Sequence, residues 1–335
     1  MNKTQLTCFY LKVNFDQTGT ETQTANVVIC VLNSAFSLIT CTGNSVLLYV
    51  IWKTQELHSP SFILLSCLAT ADLLVGLVCQ PFFVAYKMAE LAHNVGMYCT
   101  LRMIYTIPSW ITTGVSLVTL SLVSVHQLLA LTLHLRYNTI VTVPRVFQIS
   151  ACVWILSITG ITSRFYVRNW IAIPAVTLLL TFLVTALSTL KIFHIVRRHQ
   201  RQIFQQEQSV QNNTINVFKC RKSAVTVIYV YGLFMLFYLP FQGMIFVERF
   251  LGYTLTVKIA YDFAATVVFI NSFVNPFVFC WRFGEIRRAV KNTLRKNWVS
   301  FNWKPNRDWY HTNIHSPSSH SPGTRQPRVN RWGNG

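Results

Sequence analysis

Ile270-Asn271-Ser272-Phe273-Val274-Asn275-Pro276-Phe277-Val278-Phe279-Cys280-Trp281 is an apolar run with two asparagines and a proline at its heart, and it breaks at Arg282 into a basic segment. A helix of this composition suits hydrocarbon, where a polar group or a missing backbone hydrogen bond is costly unless neighbouring helices satisfy it. The run therefore predicts a bundle packed around it and a reason for its polar residues.

Composition agrees. The 335 residues are 52% hydrophobic and only 12% charged, which places the chain among membrane proteins. Seven apolar runs, near 26–52, 61–88, 98–130, 146–164, 171–196, 223–247 and 257–281, are long enough to cross a bilayer core, which takes about 20 helical residues. The fold class expected is an all-α membrane protein, a seven-helix bundle across residues 26–296. A short amphipathic helix follows over 282–296, where Phe283, Ile286, Val290 and Leu294 recur at helical spacing beside five cations. Residues 1–25 are expected outside the cell, without a secretory leader, and residues 297–335 as a disordered cytoplasmic tail. Asn2-Lys3-Thr4 is a glycosylation acceptor sequence.

The net charge of +19 would suit nucleic acid, but the cations lie between and after the apolar runs. With the N-terminus outside, 21 of the 29 lysines and arginines face the cytoplasm. That bias predicts an N-out, C-in protein of the plasma membrane, with the bilayer and not nucleic acid as its basic partner. The nine cysteines form no metal-ligand pattern. No nucleophile–base pair or catalytic turn stands at a plausible depth, so the chain is not read as an enzyme.

One carboxylate, Asp72, lies deep in a span. Such an acid needs a cation, a proton or several donors. Asn44, Ser116, Asn271 and Asn275 fall at comparable depth, and an all-oxygen donor set fits a hard cation such as sodium. Prolines 81, 108, 174, 240 and 276 predict kinks inside spans.

These residues together resemble a rhodopsin-like (class A) G-protein-coupled receptor. The resemblance rests on Gly43-Asn44-Ser45-Val46, Leu68-Ala69-Thr70-Ala71-Asp72-Leu73-Leu74, Trp154, Phe237-Tyr238-Leu239-Pro240 and Asn275-Pro276 with Val278-Phe279, in order along the seven runs. It implies a cell-surface receptor that binds an extracellular ligand and signals to a heterotrimeric G protein or arrestin through a change in the bundle. By this similarity Asp72, Ser116, Asn271 and Asn275 form a sodium and water pocket. No other cofactor is implied. Ser109, Thr112, Thr113, Tyr238, Gln242 and Phe269 line the ligand site. His126, Gln127, Pro240, Asn275, Pro276 and Phe279 fall on switch and coupling positions.

The departures bear on function. His126-Gln127-Leu128 stands where the family has Asp-Arg-Tyr, and Gln127 carries neither a fixed charge nor a guanidinium fork. Thr189, Cys220 and Phe279 also replace polar partners at the inner end. The alternative to coupling through a modified contact, such as His126 or Gln127 with Arg145, is a receptor with little or no coupling: a decoy, scavenger or dimer partner. Ser109 replaces the amine-binding aspartate, and Phe269 the retinal lysine, so neither an aspartate-bound amine nor a retinal Schiff base is expected. Arg102 occupies the position of the family's outer cysteine, leaving Cys8 and Cys99 either paired or free. Glu90, Glu248 and Asp262, beside Arg102, Arg249 and Lys258, are expected at the outer rim, either solvated or steering a charged peptide.

Overall fold

The computed structural model describes residues 4–8, 11–15, 20–133, 136–167, 172–206, 232–233, 235–248, 250–252 and 254–302. Its core is a helical bundle. The first span is α1 (Thr20–Lys53). The second is α2 (Pro60–Leu74), continued through a π-helical turn at Val75–Cys79 into α3 (Gln80–Leu91). The third is α4 (Val95–Leu133); after a short α5 (Tyr137–Ile140), the fourth and fifth are α6 (Val143–Thr162) and α7 (Ala172–Gln206). The described part of the sixth is α8 (Met235–Glu248), and the seventh is α9 (Leu255–Arg282). A further helix, α10 (Gly284–Asn302), follows it. Six of these helices or helix pairs are long and apolar enough to cross a membrane, and α8 is shorter. The expectations for Cys220 and for the tail from 303 onward lie outside the described residues.

Small residues set the closest approaches, as they do where helices pack in lipid. Gly76 sits in the π-helical turn, where the Ser37 hydroxyl donates to its carbonyl at 2.7 Å. A Cβ there would come within 2.8 Å of the Cys41 sulfur. Gly43 faces the Pro276 ring, which a Cβ would approach to 3.2 Å. The first and seventh spans are then tied by hydrogen bonds from Asn33 Nδ2 to Thr266 Oγ1, 3.0 Å, and from Asn44 Nδ2 to the Ser272 carbonyl, 3.1 Å. Thr254 caps α9, its hydroxyl accepting from the Val257 amide. Leu38, Leu156 and Phe277 point outward on the faces that hydrocarbon would cover. The Ile286 side chain of α10 is fully buried, in the apolar cluster that includes Phe279.

Two features differ from the sequence reading. Residues 4–15 hold an antiparallel hairpin, β1 (Thr4–Cys8) and β2 (Leu11–Phe15), with Cys8 opposite Leu11, and Cys8 is disulfide-bonded to Cys99 with Cα atoms 5.2 Å apart. The first helix also begins six residues before the apolar run at 26–52 does. Its extra turns carry the buried Thr22, and Asn26, the first residue of that run, is buried too and reaches a carboxylate of the second span.

Candidate functional site

The apolar alternation of the second and seventh spans brings their few polar residues to one level. Asp72 is completely buried, and Asn275 donates to its Oδ2 at 2.7 Å. Ser272 lies beside the same carboxyl. From the sixth span the Tyr238 hydroxyl comes within hydrogen-bonding reach of Ser116 and Asn271. Asp72, Ser116, Asn271 and Asn275 are thus brought together, with Tyr238 and Ser272 added. Among the described residues, Asp72 Oδ1, Asn271 Nδ2 and Asn44 Oδ1 have no hydrogen-bond partner. A buried carboxylate oxygen left so is costly. This donor set fits a small hard cation with water, or a proton.

Closer to the end of the bundle where the first helix begins lies a second polar assembly. Lys87 and Glu90 are three residues apart on α3, and Lys258 and Asp262 four apart on α9. Each pair therefore projects from one helix face. Lys87 pairs with Asp262 and, at 3.2 Å, with Glu90; Lys258 pairs with Glu90. The Tyr86 hydroxyl donates to Asp262 at 3.2 Å and the Asn26 amide to Glu90 at 3.1 Å. All four charged side chains are buried. Glu90, Asp262 and Lys258 are therefore not a solvated rim. Their charges cancel pairwise, which is what allows them to leave water. The Arg249 side chain lies outside the described residues.

Beneath this lattice lies a cavity of about 140 Å³, reached by Ser109, Thr113, Phe269, Arg102 and Asp262 among others. A larger one, about 450 Å³, lies between the third, fourth, fifth and sixth spans and is lined by Tyr238, Gln242 and Thr113 among others. Five of the six expected ligand-site residues thus border a cavity. Thr112 lines neither; it is buried against the second span, its hydroxyl 3.7 Å from the Cys79 sulfur. Sequence reasoning missed Arg164, which lines the smaller cavity from the short turn at Ser163–Phe165 after α6. It also missed Lys87, although a cation three residues before a carboxylate at the end of a span was a legible signal.

A family profile described as 7 transmembrane receptor (rhodopsin family) matches residues 43–174. Trace amine-associated receptor 13c of Danio rerio is 27% identical over 306 residues, covering 81% of this chain and 87% of that protein. Trace amine-associated receptor 7f of Mus musculus is 24% identical over 282 residues, covering 75% and 78%. Over these stretches the chain is similar to rhodopsin-like receptors. These likenesses and the apolar helices support a multi-pass membrane receptor with an extracellular ligand, and the proteins matched are receptors rather than enzymes.

At the opposite end of the bundle, where α4 meets α5, the chain departs from the pattern of the receptors it resembles. His126 is buried and pairs through Nε2 with the Tyr137 hydroxyl of α5, with Ser61 Oγ at 3.5 Å. Burial pushes the Tyr137 hydroxyl above its usual range, so it stays a neutral phenol. The contact of His126 or Gln127 with Arg145 is not made: Arg145 donates instead to the carbonyls of Ile140, 2.9 Å, and Thr139, 3.2 Å. Gln127 Oε1 and Thr189 Oγ1 are buried without partners among the described residues. Phe279 is buried in the apolar cluster. Pro276 lies inside α9 against Gly43, while Pro240 of α8 is exposed.

Proposed function

We propose that this receptor is inserted in the plasma membrane with its N-terminus outside and its C-terminus in the cytoplasm, and that a ligand entering the outer cavities biases the bundle through Tyr238. The supporting observation is the position of that one side chain. Tyr238 lines the larger cavity and reaches the Ser116 and Asn271 side chains of the buried polar cluster. A ligand that displaces its ring moves a hydrogen-bonding group of the cluster, and Asn275-Pro276 carries the change along α9. Sodium in the cluster, held by Asp72 with Ser116, Asn271 and Asn275, stabilises one of the two states, and a ligand shifts the balance only by its differential affinity for them.

The output partner is a heterotrimeric G protein or arrestin, engaged through an inner face built around His126, Gln127 and Phe279. His126 and Tyr137 supply a neutral tie in place of the family's charged one. A second reading, a receptor with little or no coupling, draws support from Gln127, whose side chain offers no guanidinium.

The relatives' names point to trace amines as ligands. In this chain Ser109 stands at the amine-binding position of the third span, and the buried Asp262 is already engaged by Lys87 and Tyr86. An amine held by an aspartate is therefore not the reading favoured. Epitope tags at the two termini test orientation: on intact cells the N-terminal tag is expected to stain and the C-terminal one only after permeabilisation. Energy-transfer sensors for each Gα class test the output. Tyr238→Ala is expected to change basal or ligand-stimulated activation; wild-type behaviour from that variant would overturn the route.

A further inference from the structure

The larger cavity opens sideways, between two helices. α6 and α7 each pack on α4, and between themselves they touch little among the described residues. The cavity occupies that gap. Leu156 of α6 and Ile173 of α7 line it, yet they are 69% and 38% exposed, so its wall is also the outer surface of the bundle. Leu156 stands six residues before the end of α6 at Thr162. That is about 9 Å along the helix axis, a depth that hydrocarbon covers. Gly160 stands at the opening. A Cβ added there would meet Ile173 Cγ2 at 4.0 Å, an ordinary contact, so the missing side chain leaves room rather than relieving a clash.

The wall is chiefly hydrocarbon, with Leu117, Val118, Val153, Ile161 and Leu178. Its hydroxyls are largely satisfied within their own segments: Thr159 donates to the Ile155 carbonyl at 3.0 Å, Ser163 to Gly160 at 2.6 Å and Thr177 to Ile173 at 2.9 Å. Gln242 brings an amide to the same space. It lies four residues beyond Tyr238 on α8 and therefore on the same helix face. The volume of about 450 Å³ falls inside the roughly 300–1,000 Å³ of small-molecule sites.

We propose that the receptor takes an uncharged amphiphile dissolved in the bilayer, an alkyl or alicyclic body with one amide or hydroxyl head, which enters between α6 and α7 past Gly160 and sets its head on Gln242. A route through hydrocarbon selects the neutral form, because a charge costs far more to bring there than an amide or a hydroxyl does. A primary amide both donates to and accepts from the Gln242 side chain. The body then lies beside Tyr238. The proposal rests on the outer cavities being the ligand site, as set out above.

The test uses the full-length receptor in lipid nanodiscs and, as probe, a dodecanamide carrying a mid-chain diazirine and a terminal alkyne. Photolabelling is expected to saturate, to be competed by plain dodecanamide, and to map by peptide mass spectrometry to the segments around Leu156 and Ile173. Dodecyltrimethylammonium and dodecanesulfonate, of fixed charge, and butanamide, the head alone, should compete far more weakly. Gly160→Phe fills the opening and should cut competed labelling by about tenfold or more. Gly160→Ala, whose methyl fits, should stay within about twofold, as should Ile158→Phe on the exposed face nearby. Gln242→Leu should weaken competition by dodecanamide by about 3- to 10-fold, the range for losing a neutral hydrogen bond, and leave competition by dodecane unchanged, a contrast that misfolding cannot mimic. Label that is uncompeted and spread over every hydrocarbon-facing helix is ordinary bilayer contact and would overturn the proposal. So would fixed-charge chains that match the amide, or a change of less than about threefold from either Gly160→Phe or Gln242→Leu. Competed label without activation of any G protein would leave the proposal standing and count against the signalling reading. An altered response of Tyr238→Ala without competed label would keep the route through Tyr238 and remove this ligand class.

Discussion

Replacing Lys87 by methionine removes one cation from the buried lattice while keeping the length and apolar stem of the side chain. Lys87 is completely buried and faces two carboxylates. Glu90 would keep Lys258 and the Asn26 amide, but of the partners described for Asp262 only the neutral Tyr86 hydroxyl would remain. Breaking a buried ion pair from one side typically costs about 3–5 kcal/mol, because it strands the other charge. At roughly 2–4 °C per kcal/mol for a chain of this order of size, detergent-solubilised Lys87→Met should melt roughly 6–20 °C below wild type. Asp262→Asn added to Lys87→Met restores neutrality, and the two changes should be coupled by about 1–3 kcal/mol, the double variant melting above the single one. Lys53→Met, at an exposed site, should stay within about 0.5 kcal/mol of wild type. If Lys87→Met melts with wild type, or if the double variant is no better than the single, the four charges do not act as one lattice.

Asp72→Asn is expected to abolish any effect of sodium on ligand affinity, measured by saturation binding in sodium and in N-methylglucamine; an unchanged effect removes the ion from this cluster. Tyr238→Phe keeps the ring in the cavity and withdraws the hydroxyl from Ser116 and Asn271, at a cost of about 1–3 kcal/mol if their groups stay unpartnered, so ligand efficacy should change more than ligand affinity. Cys99→Ser opens a covalent tie across 91 residues of chain and should destabilise the receptor by about 2–5 kcal/mol; mild reduction of wild type should reproduce the loss in a melting curve. Gly76→Leu places side-chain atoms where Cys41 and Ser37 already lie and should depress surface expression, measured by flow cytometry, far more than Gly96→Leu at an open position.

The bundle was legible because crossing hydrocarbon imposes a length and a composition on every span, and the runs at 61–88 and 257–281 match Pro60–Leu91 and Leu255–Arg282 closely. The buried cluster was legible for the opposite reason: Asp72 is conspicuous because so few spans can carry a carboxylate, and Asn275 sits at matching depth. The outer lattice was harder. Glu90 and Asp262 read as rim charges because burying them is unfavourable until Lys87 and Lys258 are known to meet them. That meeting depends on how α3 and α9 pack, 175 residues apart for Lys87 and Asp262. Thr112 failed as a cavity residue through rotation alone: on α4 it lies toward the second span, while Ser109 and Thr113 face the cavity. The hairpin at residues 4–15 was missed although Leu11-Lys12-Val13-Asn14-Phe15 alternates apolar and polar residues as a strand does; its partner Thr4–Cys8 carries the pattern only weakly. The partner of His126 is Tyr137, eleven residues away, and not Arg145, because the turn into α5 brings that hydroxyl back to the helix end.

The central claim is that events in the outer cavities reach a G protein despite the glutamine at 127. The most direct measurement is Gα activation in living cells, by energy-transfer sensors covering each G-protein class, for wild type and Gln127→Arg at matched surface expression, with and without each member of a broad ligand set. Stimulated activation of at least one Gα class by wild type, altered in strength or selectivity by Gln127→Arg, is the predicted result. Silence from both forms across every ligand and G protein, with binding intact, would contradict it.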